Sequence, residues 1–146
     1  MWKSLRHKAS LARELSLSDG SLLLQAWCVL LGFFLALRLV SLQRLQASFR
    51  LRNAKKMDPA LFLSFADRLQ RLVSLAAHLH LLPMPCLVRA CSLHWMLRRR
   101  VLPSQLCIGV NSSLNGLQAH AWVDLLGHAL GEPGDIEARF KVLQPG

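Results

Sequence analysis

PCLVRACSLHWMLRRR at 85–100, followed by LCIGV at 106–110 and LQAHAWVDLLGHALGEP at 117–133, decides how this chain folds. The first segment has Leu87, Ala90, Cys91, His94 and Leu97 at helical spacing and closes on Arg98-Arg99-Arg100, basic residues suited to the negative end of a helix dipole. Leu106–Val110 is a short apolar run of strand character, and Asn115-Gly116 is a tight-turn signal before a second run, Leu117–Leu125. On that second strand His120, Trp122 and Asp124 share one face, while Ala121, Val123 and Leu125 share the other. Gly127 turns the chain into a third short strand, His128–Leu130, with Glu132 at its end. A cysteine at a helix start, a histidine on a strand and an acid twelve residues later follow the chain order of nucleophile, base and orienter.

Upstream, Leu82-Pro83-Met84-Pro85 stops one helix and Pro85-Cys86 opens the next, because two prolines cannot continue a helix. Cys86 therefore falls in a first turn, where unpaired N–H groups and the positive dipole end favour thiolate. Cys91 lies mid-helix, Cys107 in a strand and Cys28 in an apolar helix, none of them in that setting. Taken alone, a cysteine is more often a small buried hydrophobe. The preceding helix starts at Asp58-Pro59, with Asp as N-cap and Pro at the first helical position. Its apolar face is Leu61, Phe62, Phe65, Leu69, Leu72, Val73, Ala76 and Leu79. His78 and His80 diverge on a helix and are assigned structural roles.

Further back, Leu22–Leu37 is apolar on all sides, with Gln25 as its one strongly polar side chain. As a helix it is about 24 Å long, short of a ~30 Å hydrocarbon core. Burial by partner helices is the favoured reading. Contact with lipid is the other, with Arg38, Arg44, Arg50, Arg52, Lys55 and Lys56 then on the cytoplasmic side. Leu39, Leu42, Leu45 and Phe49 continue the helix as an amphipathic tail. Residues 1–20 form a basic arm (Lys3, Arg6, His7, Lys8, Arg13), in which Ser18 or Asp19 can cap the apolar helix, and Asn53–Lys56 is a polar break. The expected organisation is residues 1–57 as arm and apolar helix and 58–146 as the core, together one compact unit.

The chain is 146 residues long, enough for one real core, with 53% hydrophobic residues. Its formal net charge is +10, from 18 Lys+Arg against 8 Asp+Glu. No acid occurs between Arg68 and Val123, and four of the eight crowd into Asp124–Glu137. The basic residues are scattered and no Tyr is present for stacking, so nucleic acid is not an expected partner. Four cysteines without a CxxC pair suit no zinc pattern, so no metal is expected; the thiols read as reduced and the compartment as cytoplasmic.

These motifs together (PCLVRACSLHWMLRRR, LCIGV and AHAWVD…GEP) resemble the transglutaminase-like cysteine peptidases of lasso peptide biosynthesis, in the stand-alone form of the leader peptidase. The resemblance covers about Asp58–Phe140. It implies an α+β fold, with N-terminal helices followed by a nucleophile helix packed on a small antiparallel sheet. It further implies cleavage of a leader from a ribosomally made precursor peptide, without a cofactor. A small leader-binding protein would be the partner, and a separate ATP-using cyclase would act next. By position Cys86 matches the nucleophile, His120 the base and Glu132 the orienting acid, for which the family often has Asp. Asp135 is the alternative acid and Asp124 takes a supporting role. Val101-Leu102 stands where the family often has a glycine. Two other functions remain open on the residues: acyl transfer to an amine by the same triad, and non-catalytic binding of a basic, apolar chain to a membrane.

Overall fold

A computed structural model describes residues 17–48, 58–113 and 116–145. The arm residues Lys3, Arg6, His7, Lys8 and Arg13, the break 53–56, Phe49 and the turn residue Asn115 lie outside the described residues. Among the described residues four helices come first: α1 (Leu17–Leu39), α2 (Leu42–Ser48), α3 (Pro59–Leu79) and α4 (Cys86–Arg99). Then come β1 (Ser104–Ser113), β2 (Gly116–Leu125), β3 (His128–Ala129), the single turn α5 (Ile136–Arg139) and β4 (Lys141–Pro145). The fold is α+β, and the described strands pair antiparallel in the order β3-β2-β1-β4.

The helix starts and stops are set by local chemistry. Asp58 caps α3, its Oδ1 accepting from Ala60 N at 3.0 Å, with Pro59 opening the helix. The buried face of α3 is Phe62, Ala66, Leu69, Leu72, Val73 and Ala76; Leu61 and Leu79, at the ends of the apolar stripe, are largely exposed. His78 donates from Nδ1 to Ser74 O at 2.7 Å, and the His80 ring stacks on Trp27 at 4.4 Å, tying the end of α3 to α1. Asp19 and Ser18 sit inside the first turn of α1 and bind the Arg68 guanidinium, so they join α1 to α3 instead of capping from outside.

α4 is the central element. It packs on α1 and α3 and on strands β1 and β2, and its Val88, Ala90, Cys91, Leu93, Met96 and Leu97 are buried. Its end is a Schellman motif: Leu102 N donates to Leu97 O at 3.1 Å and Val101 N to Arg98 O at 2.9 Å. That motif needs a left-handed residue, and Val101 holds φ 65° there. A β-branched residue is strained in that conformation where glycine is not. Val101→Gly is therefore expected to raise stability by about 1 kcal/mol, read as an increase in Tm.

Within the same helix His94 is 5% exposed, with Nδ1 hydrogen-bonded to Ser104 Oγ at 2.9 Å. Burial first, and then the Arg98 charge, lower its pKa to about 4 from 6.5. Between those values the unfolded chain binds a proton that the folded chain refuses, so stability falls as pH falls through that window. The loss approaches about 3 kcal/mol near pH 4. Chemical denaturation at pH 7 and pH 4 checks it, and His94→Gln should remove that share of the slope.

The first helix differs from the expectation of burial. Ala26 and Leu30 are fully buried against α3 and α4, but Leu24, Leu35 and Leu39 are 65%, 51% and 85% exposed. The partner helices cover one side only. By length and composition α1 is able to cross a membrane, as the core helix of a soluble protein also can be. The tail is a separate element: the helix breaks at Val40-Ser41 before α2 begins.

Candidate active site

The sheet keeps the alternation read from its sequence. Ala121, Val123 and Leu125 join the main core beneath the helices, whereas Trp122 joins Cys107, Ile136, Phe140 and Val142 on the other face. Strand β3 pairs with Asp124 and Leu125 only, which among the described residues leaves β2 an open edge at His120. The start of α4 and the chain after β3 come to that edge and close a cavity of about 100 Å³. Its lining includes Cys86, His120 and Glu132.

His120 Nε2–H donates to Glu132 Oε1 at 2.7 Å, with the two side chains 28% and 19% exposed. This bond fixes the tautomer, leaving Nδ1 as the acceptor nitrogen. Arg139 Nη2 lies 3.9 Å from the other carboxylate oxygen. The ring packs beside Trp122 and Phe140, at centroid distances of 6.1 and 5.4 Å, the three rings forming one cluster. Gly109, opposite His120 in the β1–β2 register, makes room for those rings: a Cβ there would meet Phe140 Cβ and Trp122 Cη2 at 2.9 Å. Gly131 (φ +73°) plays a similar part, since a Cβ would fall 2.0 Å from Gln70 Nε2. Gln70 thus abuts the residue preceding Glu132.

Cys86 is half-buried on the α4 wall of the cavity, without a hydrogen bond to His120. Catalytic hydrogen bonds often tighten only when substrate binds. The N-cap Pro85 supplies no side-chain acceptor, so the first-turn N–H groups are left for a ligand or water. The remaining cysteines are distinct in environment. Burial pushes the Cys91 thiol up to about 12. Cys107 is also raised, by burial and then by the Asp124 and Glu137 carboxylates. Cys28 is exposed on α1, and all four cysteines are free thiols. Among the described residues no group of three or more His, Cys, Asp or Glu is arranged to hold a metal ion.

Asp124 and Asp135 are hydrogen-bonded to backbone N–H groups and not to the imidazole. Asp124 Oδ1 accepts from Gly127 N at 2.9 Å and braces the β2–β3 turn, where Leu126 and Gly127 have φ 55° and 83°. Asp135 caps α5, accepting from Glu137 N and Ala138 N at 3.1 and 3.3 Å. Sequence reasoning did not single out Gln70, Ser74, Arg89, Arg139 or Phe140. Arg89 was within reach, one helical turn after Cys86. Arg139 and Phe140 belong to α5 and its junction with β4, elements with no periodic signal.

A cysteine in the first turn of a central helix, packed on an antiparallel sheet whose strand β2 brings a histidine to the cleft that also receives a carboxylate from the chain after β3, defines an α+β fold organised around a thiol site. The chain belongs to the transglutaminase-like superfamily, whose pattern matches residues 27–144 and so takes in the second half of α1 as well as the sheet. This superfamily generally includes cysteine-type enzymes. No curated protein and no solved structure matches the chain.

Proposed function

We propose that the protein is a cysteine peptidase that cleaves the leader from a ribosomally made precursor peptide, with Cys86 as nucleophile, His120 as base and Glu132 as orienter. One observation carries the reading: the 2.7 Å His120–Glu132 hydrogen bond in a cavity that Cys86 also lines. Glu132 holds Nε2–H, so Nδ1 is the nitrogen that takes the thiol proton. The thiolate attacks the scissile carbonyl, and the backbone N–H of Cys86 donates to the developing oxyanion. The imidazolium returns its proton to the leaving amine, which frees the core peptide with a new N-terminus. The leader stays as a thioester on Cys86 until water, deprotonated by His120, releases it.

The motif resemblance supplies the lasso precursor as substrate, a small leader-binding protein as the presenting partner and a separate cyclase as the next enzyme. A reduced, cytoplasmic setting suits four free thiols. The test is incubation of precursor peptide with the protein and the leader-binding partner, followed by mass spectrometry. Two fragments whose masses sum to the precursor plus one water are the expected result. A leader joined to an added amine would instead assign acyl transfer, and an unchanged precursor would remove the peptidase reading.

A further inference from the structure

We propose that Arg89 and Ser74 form a carboxylate-binding subsite beside the thiol, which selects substrate peptides bearing an anionic group next to the scissile bond. The inference deepens the peptidase reading and rests on it for the word substrate; the subsite itself rests on the cavity.

Arg89 lies three residues after Cys86 on α4 and lines the same cavity. Residues three apart on a helix are neighbours on one face, so the guanidinium and the thiol share one wall of that cavity. The Arg89 side chain is half-buried, and its Nη2 donates to Ser74 Oγ at 2.9 Å. Among the described residues no carboxylate lies within ion-pair distance of it; Glu132, on the same cavity, is bound to His120 and faces Arg139. The sequence offers no local partner either, because no acid occurs between Arg68 and Val123.

Ser74 Oγ also accepts from Gln70 Nε2 at 3.1 Å. With both lone pairs filled by Arg89 and Gln70, the hydroxyl has only its proton to offer. Arg89 has donors alone, four of its five N–H groups remaining beyond the Ser74 bond. This part of the cavity wall is thus rich in donors and carries a positive charge. An acceptor-only anion with two oxygens is its complement, and a guanidinium fork matches a carboxylate in shape as well as charge. The carboxylate belongs to an Asp or Glu side chain or to a peptide C-terminus.

Two measurements test the subsite. In the first, the protein is alkylated with iodoacetate, which carries a carboxylate, or with neutral iodoacetamide. In both, Sγ bonds to the methylene carbon and iodide leaves. Rates are read by mass spectrometry of the Cys86 peptide, with exposed Cys28 as internal reference and buried Cys91 and Cys107 as reporters of unfolding. The iodoacetate/iodoacetamide rate ratio at Cys86 should exceed that at Cys28 by about 10-fold, as one charge-assisted contact of about 1.4 kcal/mol allows. Arg89→Gln should bring the two ratios together, and Arg89→Lys, which keeps the charge and loses the fork, should fall between. Equal ratios in wild type and Arg89→Gln, with Cys91 and Cys107 unlabelled in both, would overturn the inference.

In the second, kcat/KM is compared for peptides with Glu or Gln at each position flanking the cleavage site, and for free against amidated C-termini. A preference for one carboxylate, lost in Arg89→Gln, supports the subsite and identifies its source. Cleavage indifferent to every carboxylate would overturn the inference while leaving the peptidase reading intact. An Arg89-dependent alkylation ratio with no peptide cleaved would retain the anion subsite and remove the peptidase reading.

Discussion

Replacing His120 by alanine is expected to lower kcat/KM for the precursor peptide by about 10⁴-fold, with the folded structure retained. The imidazole is the one group in the cavity that meets both requirements of a base for the thiol. Glu132 fixes one ring nitrogen as donor at 2.7 Å, and the other is left as acceptor. Trp122 and Phe140 pack beside the ring and support that orientation. Without the ring, the thiol proton has no acceptor in place and the leaving amine has no proton donor. Both halves of the reaction suffer. His120 is partly exposed, and its removal leaves the Trp122–Phe140 contact, 6.4 Å between centroids, in place. Circular dichroism and Tm should then stay near wild type; a fall in rate of less than 10-fold would show that some other base acts.

Glu132→Ala is expected to cost about 10²–10⁴-fold in kcat, and Asp135→Ala no more than a few-fold. The contrast comes from the different groups that each carboxylate binds. Glu132 accepts the Nε2 proton, so its removal allows the wrong tautomer and frees the ring to turn. Asp135 accepts two backbone N–H groups at the start of α5 and makes no contact with the imidazole. Its loss should appear as about 1 kcal/mol of stability, read in a denaturation curve instead of a rate. Arg139, 3.9 Å from Glu132, contributes a weaker alignment of the carboxylate. If Asp135→Ala had the larger kinetic effect, the loop from 130 to 135 would have to rearrange during catalysis.

Much of the fold is legible because its signals are local. Asp58-Pro59 starts a helix by cap chemistry, Pro83 and Pro85 separate α3 from α4, and strict alternation in β2 sends Val123 to one face and Trp122 to the other. The same punctuation picks Cys86 from four cysteines. Other features depend on contacts between distant residues. β4 is five residues ending in proline, pairs with β1 alone among the described strands and meets it with a register shift at Ile108/Gly109, so no periodicity announces it. The Gln70–Ser74–Arg89 cluster joins α3 to α4 across fifteen residues, and Gln70 meets Gly131 sixty-one residues away. Nor could an evenly apolar helix declare which face it buries; Ala26 and Leu30 define that face only once α3 and α4 are in place. Val101 is the reverse case. Its left-handed backbone is the conformation expected of the glycine that the motif resemblance places near there.

The proposed role of Cys86 as the nucleophile of a thiol peptidase is tested by presenting precursor peptide and leader-binding partner to wild type and to Cys86→Ala, and quantifying leader and core peptide by mass spectrometry. Wild type should yield both fragments and, on rapid acid quenching, a leader acyl group on the tryptic peptide containing Cys86; Cys86→Ala should yield neither fragment above the uncatalysed level. Cleavage by Cys86→Ala at the wild-type rate, or an acyl group trapped on Cys28, Cys91 or Cys107 instead, would contradict it.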